Sequence, residues 1–215
     1  TKEIATLRAI VEKNKFAIEE KESLKLKTFQ RSSVIKTATN KINVAARILL
    51  DSNKKSKQQN LKTRWLVYCH SQEQLNQLKA EIVVLHPLIY HSEHSKSENS
   101  AALRKFMISG GIILSMKCLD EGVNIPKADH ALILASSQNP REFIQRRGRV
   151  LRQVKLVEKT AVIHDLVVIP DGINAEWVDN AEFKRCYEFA ESAENGIVVQ
   201  TKMDELRIRF NLSIE

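Results

Sequence analysis

The chain has 215 residues, of which 43% are hydrophobic and 28% charged, with only 6 Gly and 4 Pro. That size and composition support one ordinary globular domain with an appendage and exclude collagen-like, low-complexity and disordered classes. The formal net charge of +8 is unevenly carried: residues 1–64 hold 16 Lys/Arg against 6 Asp/Glu, a net +10, whereas residues 65–215 hold 18 against 20, a net −2.

The basicity therefore belongs to the N-terminal part. A basic face draws polyanions, nucleic acid first, by neutralising phosphates and releasing counterions, although a solvated helix face has the same composition. No apolar run reaches the roughly 20 residues that a membrane-crossing helix needs, and residues 1–10 are charged and periodic rather than signal-like. The expected location is cytoplasmic, nucleoid-associated in a bacterium, with no membrane partner. Cys69, Cys118 and Cys186 are far apart and form no Cys-x-x-Cys pair, which indicates reduced, packed thiols rather than a zinc site or a disulfide framework.

Ile4, Leu7, Val11 and Ile18 outline a first helix, and Ile35, Ala38, Ile42, Ala45 and Leu49 step by 3, 4, 3 and 4, one stripe of an amphipathic helix. DSNKKSKQQNLK at residues 51–62 has no apolar residue but Leu61 and reads as a linker. WLVYCH at residues 65–70 is a short apolar run of the kind buried on both faces of a parallel sheet. Ser71 and Gln74 form an S-x-x-Q capping box ahead of Leu75, Leu78, Ile82 and Leu85 at helical spacing. LIY at residues 88–90 is the next strand, and Ser95 with Glu98 caps a helix carrying Leu103, Phe106 and Met107 that ends at Gly110 and Gly111.

Three further strands are legible: IILS at 112–115, ALILA at 131–135 and TAVIHDLVVI at 160–169. Between the last two, Asn139 as N-cap, Pro140 at the first helical position and Glu142 three residues after the cap open a helix. Strands and helices alternating over short loops predict an α/β fold, a parallel sheet with helices on both faces and right-handed crossovers. Function in such sheets gathers at the carboxyl ends of the strands.

The helix opened at Asn139 runs into QRRGRVLR, residues 145–152, with four arginines in eight residues. At about 100° per residue, Gln145, Arg149 and Arg152 fall within roughly 60° of one another. One face can thus offer two guanidinium groups to one anion, and a positioned arginine stabilises charge developing during phosphoryl transfer. A solvated or nucleic-acid-contacting basic helix has the same composition. Directly after the IILS strand, SMKCLDEGVNIP at residues 115–126 places a Gly-containing turn at a strand's carboxyl end, where backbone N–H groups can meet phosphates.

WLVYCHS, SMKCLDEGVNIP and QRRGRVLR resemble, in order and at suitable spacing, motifs IV, V and VI of the C-terminal RecA-like domain of superfamily 2 helicases and translocases. HSEHSKSENSAALRKF is similar to the loop and helix that precede the motif V strand in that family. The resemblance covers about residues 30–170 and is nearest to the DExH motors of restriction enzymes and repair helicases.

That resemblance implies a RecA-like, P-loop NTPase-like fold in which Arg149 and Arg152 are arginine fingers to the γ-phosphate and Gln145 couples nucleotide to domain. It puts Gly122, Asn124 and Glu121 by the nucleotide, and Ser71, Gln72, Ser92 and Ser115 along the nucleic-acid backbone. Many relatives have Asp where this chain has Asn124, although an amide can still hydrogen-bond a ribose hydroxyl. The chain carries no GxxxxGK[ST] loop and no DExH-like tetrad, which hold ATP and Mg²⁺ in this mechanism.

The implied partners are therefore nucleic acid, DNA favoured over RNA, and an N-terminal RecA-like lobe of the same polypeptide, which would bind ATP and Mg²⁺. The expected plan is a basic helical lead-in and linker at 1–62, the helicase C-terminal domain at 63–170 and a helical extension at 171–215. The chain alone is expected not to hydrolyse ATP. The alternatives are a non-catalytic nucleic-acid or partner-binding module with a degenerate RecA-like lobe, and a stand-alone phosphate-handling α/β enzyme.

Overall fold

A computed structural model describes residues 33–116, 128–134, 161–169, 176–191 and 193–210, with side chains of the helix at 176–190 described from Phe183 onward. By its contacts the chain divides into two units, Thr1–Thr37 and Ala38–Glu215. Of the first unit, residues 33–37 are described as one helical turn, closed by the Thr37 hydroxyl donating to the Ser33 carbonyl at 2.9 Å.

The second unit opens with helix α1, Asn40–Gln58. Of the stripe that the 3,4 spacing predicts, Ile42, Ala45 and Leu49 are buried in this helix, with Ala46 beside them, while Ile35 and Ala38 precede its first residue. Its length corrects the expected linker at 51–62, because the helix runs on through Gln58. Lys and Gln are good helix formers on a solvated face, and Lys55 and Lys57 in the last turn suit the negative end of the helix dipole. The stop signal is Asn60, left-handed at φ 52°. Its N–H reaches the Lys57 carbonyl at 3.3 Å and the Leu61 N–H reaches the Ser56 carbonyl at 2.9 Å, the paired bonds of a Schellman ending.

Among the described residues five strands follow: β1 Arg64–Tyr68, β2 Leu88–Tyr90, β3 Gly111–Ser115, β4 His130–Ile133 and β5 Val162–Asp165. All pair in parallel, in the order β2-β3-β1-β4-β5. The strand expected at 160–169 is shorter than its apolar run, since β4 offers only His130–Ile133 as ladder partners.

Helix α2, Gln72–Glu81, follows β1, and α3, Lys96–Ser109, lies between β2 and β3. Both begin where the capping residues predict. Ser71 Oγ accepts from the Gln74 N–H at 3.2 Å, and the Gln74 side chain reaches back past the cap to the His70 N–H at 2.8 Å. Ser95 and Glu98 complete a reciprocal box. Leu85, expected on the helix, lies instead in a 3₁₀ turn, Val83–Leu85. The chain turns out of α3 through Gly110 and Gly111 at φ 75° and 99°, a conformation that side chains oppose.

The alternation of the strands splits the core in two. Trp65, Val67, Ile112, Leu114 and Leu132 pack with Ile42, Leu49, Leu75 and Leu78 of α1 and α2 on one face. Leu66, Tyr68, Ile113, Ala131 and Ile133 pack on the other with Phe106 of α3. Helices thus cover both faces of the sheet, as expected. Trp65 stacks on His130 and His164 at ring-centre distances of 4.4 and 5.2 Å, so these histidines act as packed rings. Cys69 and Cys186 are buried thiols, and burial pushes the Cys69 thiol up to about 12.

The last two helices, α4 Glu176–Ala190 and α5 Gly196–Phe210, pack on each other. Their shared core of Phe183, Cys186 and Met203 meets Val167 and Ile169 beyond β5. No helix among the described residues is long and apolar enough to cross a membrane.

Candidate functional site

The register of the sheet brings the strand ends into one row. Ser115 lies opposite both Tyr68 and Tyr90, Ile133 lies opposite Tyr68, and Asp165 lies opposite Ile133. Because all five strands run parallel, every segment that leaves a carboxyl end leaves from this edge. Those segments begin at Cys69 after β1, at His91 after β2, at Met116 after β3 and at Leu134 after β4.

Ser71 and Gln72 stand at this edge at the start of α2, Ser71 half-buried and Gln72 exposed. The first turn of a helix leaves backbone N–H groups without intrahelical partners, at the positive end of the dipole. Ser71 Oγ accepts from the Gln74 N–H, and a hydroxyl that accepts can also donate its own O–H. Gln72 donates from its side-chain amide to Asn76 at 3.0 Å.

Ser92 is exposed in the turn after β2. Asn99 of α3 holds that turn: its amide donates to the His91 carbonyl at 2.7 Å, and its oxygen accepts from the His91 N–H at 3.2 Å. The His91 ring is buried and its Nδ1 accepts from the Glu93 N–H at 3.2 Å. Two anchors thus fix a loop whose sequence is polar and irregular.

Ser115 closes β3 in the same row, but it is fully buried and its Oγ has no hydrogen-bond partner among the described residues. It follows the parity of Ile113, on the face that packs α3. Its hydroxyl does not reach the surface.

Glu121, Gly122 and Asn124, and Gln145, Arg149 and Arg152, lie outside the described residues. Their segments, 117–127 and 135–160, depart from Met116 and Leu134, both at the carboxyl edge.

Two features of this edge are not signalled by the sequence. Lys41, in the first turn of α1, is 4% exposed and donates from Nζ to the Leu134 carbonyl at 2.7 Å. Asp165, ending β5, accepts from Arg185 Nε of α4 at 2.7 Å, with both side chains buried. In sequence each is one more charge among many, and both pairs join residues far apart in the chain. Among the described residues, no three His, Cys, Asp or Glu side chains gather closely enough to hold a metal ion.

Comparison with known proteins agrees with this geometry. The family described as "Helicase conserved C-terminal domain" matches residues 40–154. Among solved structures, T4 UvsW aligns with a TM-score of 0.57 at 15% identity, over 75% of this chain and 34% of that one. The C-terminal domain of the DEAD-box protein Dbp5 aligns with a TM-score of 0.51 at 15% identity, over 72% of this chain and 81% of that one. No curated protein matches the chain in sequence. At such identities the structural likeness speaks to fold, and the fold is that of the second RecA-like domain. With more than half of its length matched by the family, and its five described parallel strands in that arrangement, the chain belongs to the helicase conserved C-terminal domain family.

Proposed function

We propose that this chain is the C-terminal motor lobe of an ATP-dependent helicase or translocase that acts on nucleic acid, DNA rather than RNA. One observation carries the reading: the segments after β1, β2, β3 and β4, which hold every predicted site residue except Ser115, all leave from one row of strand ends. A family match across residues 40–154 supports it. The preference for DNA rests on the likeness of DEGVNIP at residues 120–126 to motors of restriction enzymes and repair helicases.

In this reading ATP and Mg²⁺ are held mainly by an N-terminal RecA-like lobe. Arg149 and Arg152 reach the γ-phosphate from the present lobe and offset charge that builds up as the phosphoryl group transfers, with Gln145 beside them. Glu121, Gly122 and Asn124 meet the ribose and phosphates. Ser71, Gln72 and Ser92 donate to the backbone of the strand, contacts that carry no base information and suit a motor that must grip every sequence alike. Ser115, with its buried hydroxyl, is not among these contacts. Closing and opening of the lobes then ratchets the strand.

Arg149→Ala and Arg152→Ala in the full-length protein test the reading. ATP turnover is expected to fall by orders of magnitude while nucleic-acid binding is largely kept. Wild-type turnover in both variants would overturn it.

A further inference from the structure

Helices α1, α2 and α3 each lead into the amino end of the next strand, β1, β2 and β3 in turn. These three strands are neighbours in the sheet, so the ends of the three helices and the short stretches after them share one edge, opposite the edge that bears Ser71, Gln72 and Ser92. The stretches touch. The Gly111 N–H donates to the Thr63 carbonyl at 2.8 Å, and Arg64 Nη2 donates to the Met107 carbonyl at 3.5 Å. The register of Leu88 with Ile113 sets the turn before β2 beside them.

Four aliphatic side chains stand out from this edge: Leu61 is 60% exposed, Val83 59%, Val84 68% and Ile108 68%. Local structure does not ask for them. Val and Ile are indifferent helix formers, yet Val83 and Val84 occupy the 3₁₀ turn and Ile108 the last turn of α3. His86 follows that 3₁₀ turn left-handed at φ 49°, directly before Pro87, a conformation that sterics oppose. Single exposed apolar residues are ordinary, but several on adjoining segments form a patch, and such patches mark places where something binds.

The charges around the patch are of one sign. Residues 55–63, 79–87 and 104–110 together hold six Lys/Arg and a single carboxylate, Glu81. The cations are Lys55 and Lys57 at the end of α1, Lys62 ahead of β1, Lys79 at the end of α2, and Arg104 and Lys105 toward the end of α3, all exposed. Cations around an aliphatic centre complement a surface that joins aliphatic side chains to Asp and Glu. Nucleic acid fits less well, because phosphates would use the cations and leave the aliphatic groups in water. Bases stack on aromatic rings, whereas Phe106, the one Phe, Tyr or Trp on these stretches, is fully buried.

We propose that the amino edge at β1, β2 and β3 is a protein-docking surface, and that its partner is an acidic segment whose aliphatic side chains seat on Leu61, Val83, Val84 and Ile108. The proposal does not rest on the motor reading. A partner held at this edge leaves the carboxyl edge open, so it can tether or recruit the lobe without covering Ser71, Gln72 or Ser92.

Random peptides displayed on phage and selected against the full-length protein supply the probe. The enriched peptides are expected to combine Leu, Ile or Val with a net negative charge, and synthetic copies should bind more weakly as salt is raised. Two variants locate the site: Val84→Ser/Ile108→Ser removes aliphatic anchors, and Lys62→Glu/Lys105→Glu reverses charge. Each should weaken peptide binding about tenfold or more, the loss typical of truncated anchors, while affinity for a DNA strand stays within about twofold of wild type. All four positions are exposed, so thermal midpoints should stay within a few degrees of wild type; if the serine variant fails to fold, the charge reversal decides. No enrichment, an enriched set that is not both acidic and aliphatic, or peptides that bind either folded variant as tightly as wild type overturn the proposal. Two further results would also overturn it by naming another occupant. Loss of DNA affinity in the charge-reversal variant would make this edge a nucleic-acid surface, and a wild-type dimer in sedimentation that Val84→Ser/Ile108→Ser dissolves would make the occupant a second copy of the chain.

Discussion

Arg185 Nε and the Asp165 carboxylate meet at 2.7 Å with both side chains buried, and this pair fastens α4 to the carboxyl end of β5. A buried ion pair adds little net stability over an apolar replacement, because desolvation of two charges opposes their attraction, but removing one partner strands the other charge. Asp165→Leu or Arg185→Leu alone is therefore expected to cost about 3–5 kcal/mol. The double replacement Asp165→Leu/Arg185→Leu should be more stable than either single change. Urea unfolding of the four proteins checks this, and additive losses in the double variant would deny the coupling.

Gly196 opens α5 where a Cβ would sit 2.1 Å from the Ala190 carbonyl oxygen. That atom is backbone, so it cannot swing away as a flexible side chain could. Gly196→Ala should force α4 and α5 apart at this end and cost about 1–3 kcal/mol, the usual range for overpacking. Thermal unfolding reads it, and an unchanged midpoint would mean that the two helices approach less closely than they do here.

Ser71 is both the cap of α2 and a predicted nucleic-acid contact, and two substitutions separate the roles. Ser71→Ala removes the acceptor for the Gln74 N–H and should cost about 1 kcal/mol. Ser71→Asp retains an N-cap acceptor and so keeps stability, but it sets a negative charge where a phosphate is proposed to lie. In the full-length protein its affinity for a DNA strand should fall several-fold, more so at low salt. Unchanged affinity would remove Ser71 from the interface.

His164 titrates below the usual histidine value of 6.5, first because burial opposes its charged form and second because His130 repels it. The unfolded chain therefore takes up this proton at a higher pH than the folded one. Stability is fully present above about 6.5 and is lost as pH falls from there through the folded-state value. His164→Phe, which keeps a ring against Trp65, should flatten that part of the stability curve. Denaturant midpoints measured between pH 7.5 and 5 check the slope, and equal slopes in the two proteins would contradict it.

Much of the architecture was legible before any tertiary contact was known. Short apolar runs marked all five strands, and Ser71 and Ser95 marked the starts of α2 and α3, because burial on two faces and unpaired helix-end N–H groups are local demands that a few adjacent residues meet. The parallel arrangement followed from the alternation of strands with helices. The polar half of α1 was misread as a linker because a solvated helix needs no apolar periodicity. Its stop at Asn60 lies in a backbone conformation rather than in a composition.

Tertiary structure alone decided which charges are structural. Lys41 is 93 residues from Leu134, and Asp165 is 20 from Arg185. Only chain packing can bring either pair together, and only burial turns a solvated charge into a constraint. The sheet register, too, is a property of the paired strands: it set Tyr90, Ser115, Tyr68, Ile133 and Asp165 in one row. The same packing buried the Ser115 hydroxyl, because strand parity turned it toward α3, and no short stretch of sequence records which face a helix will cover.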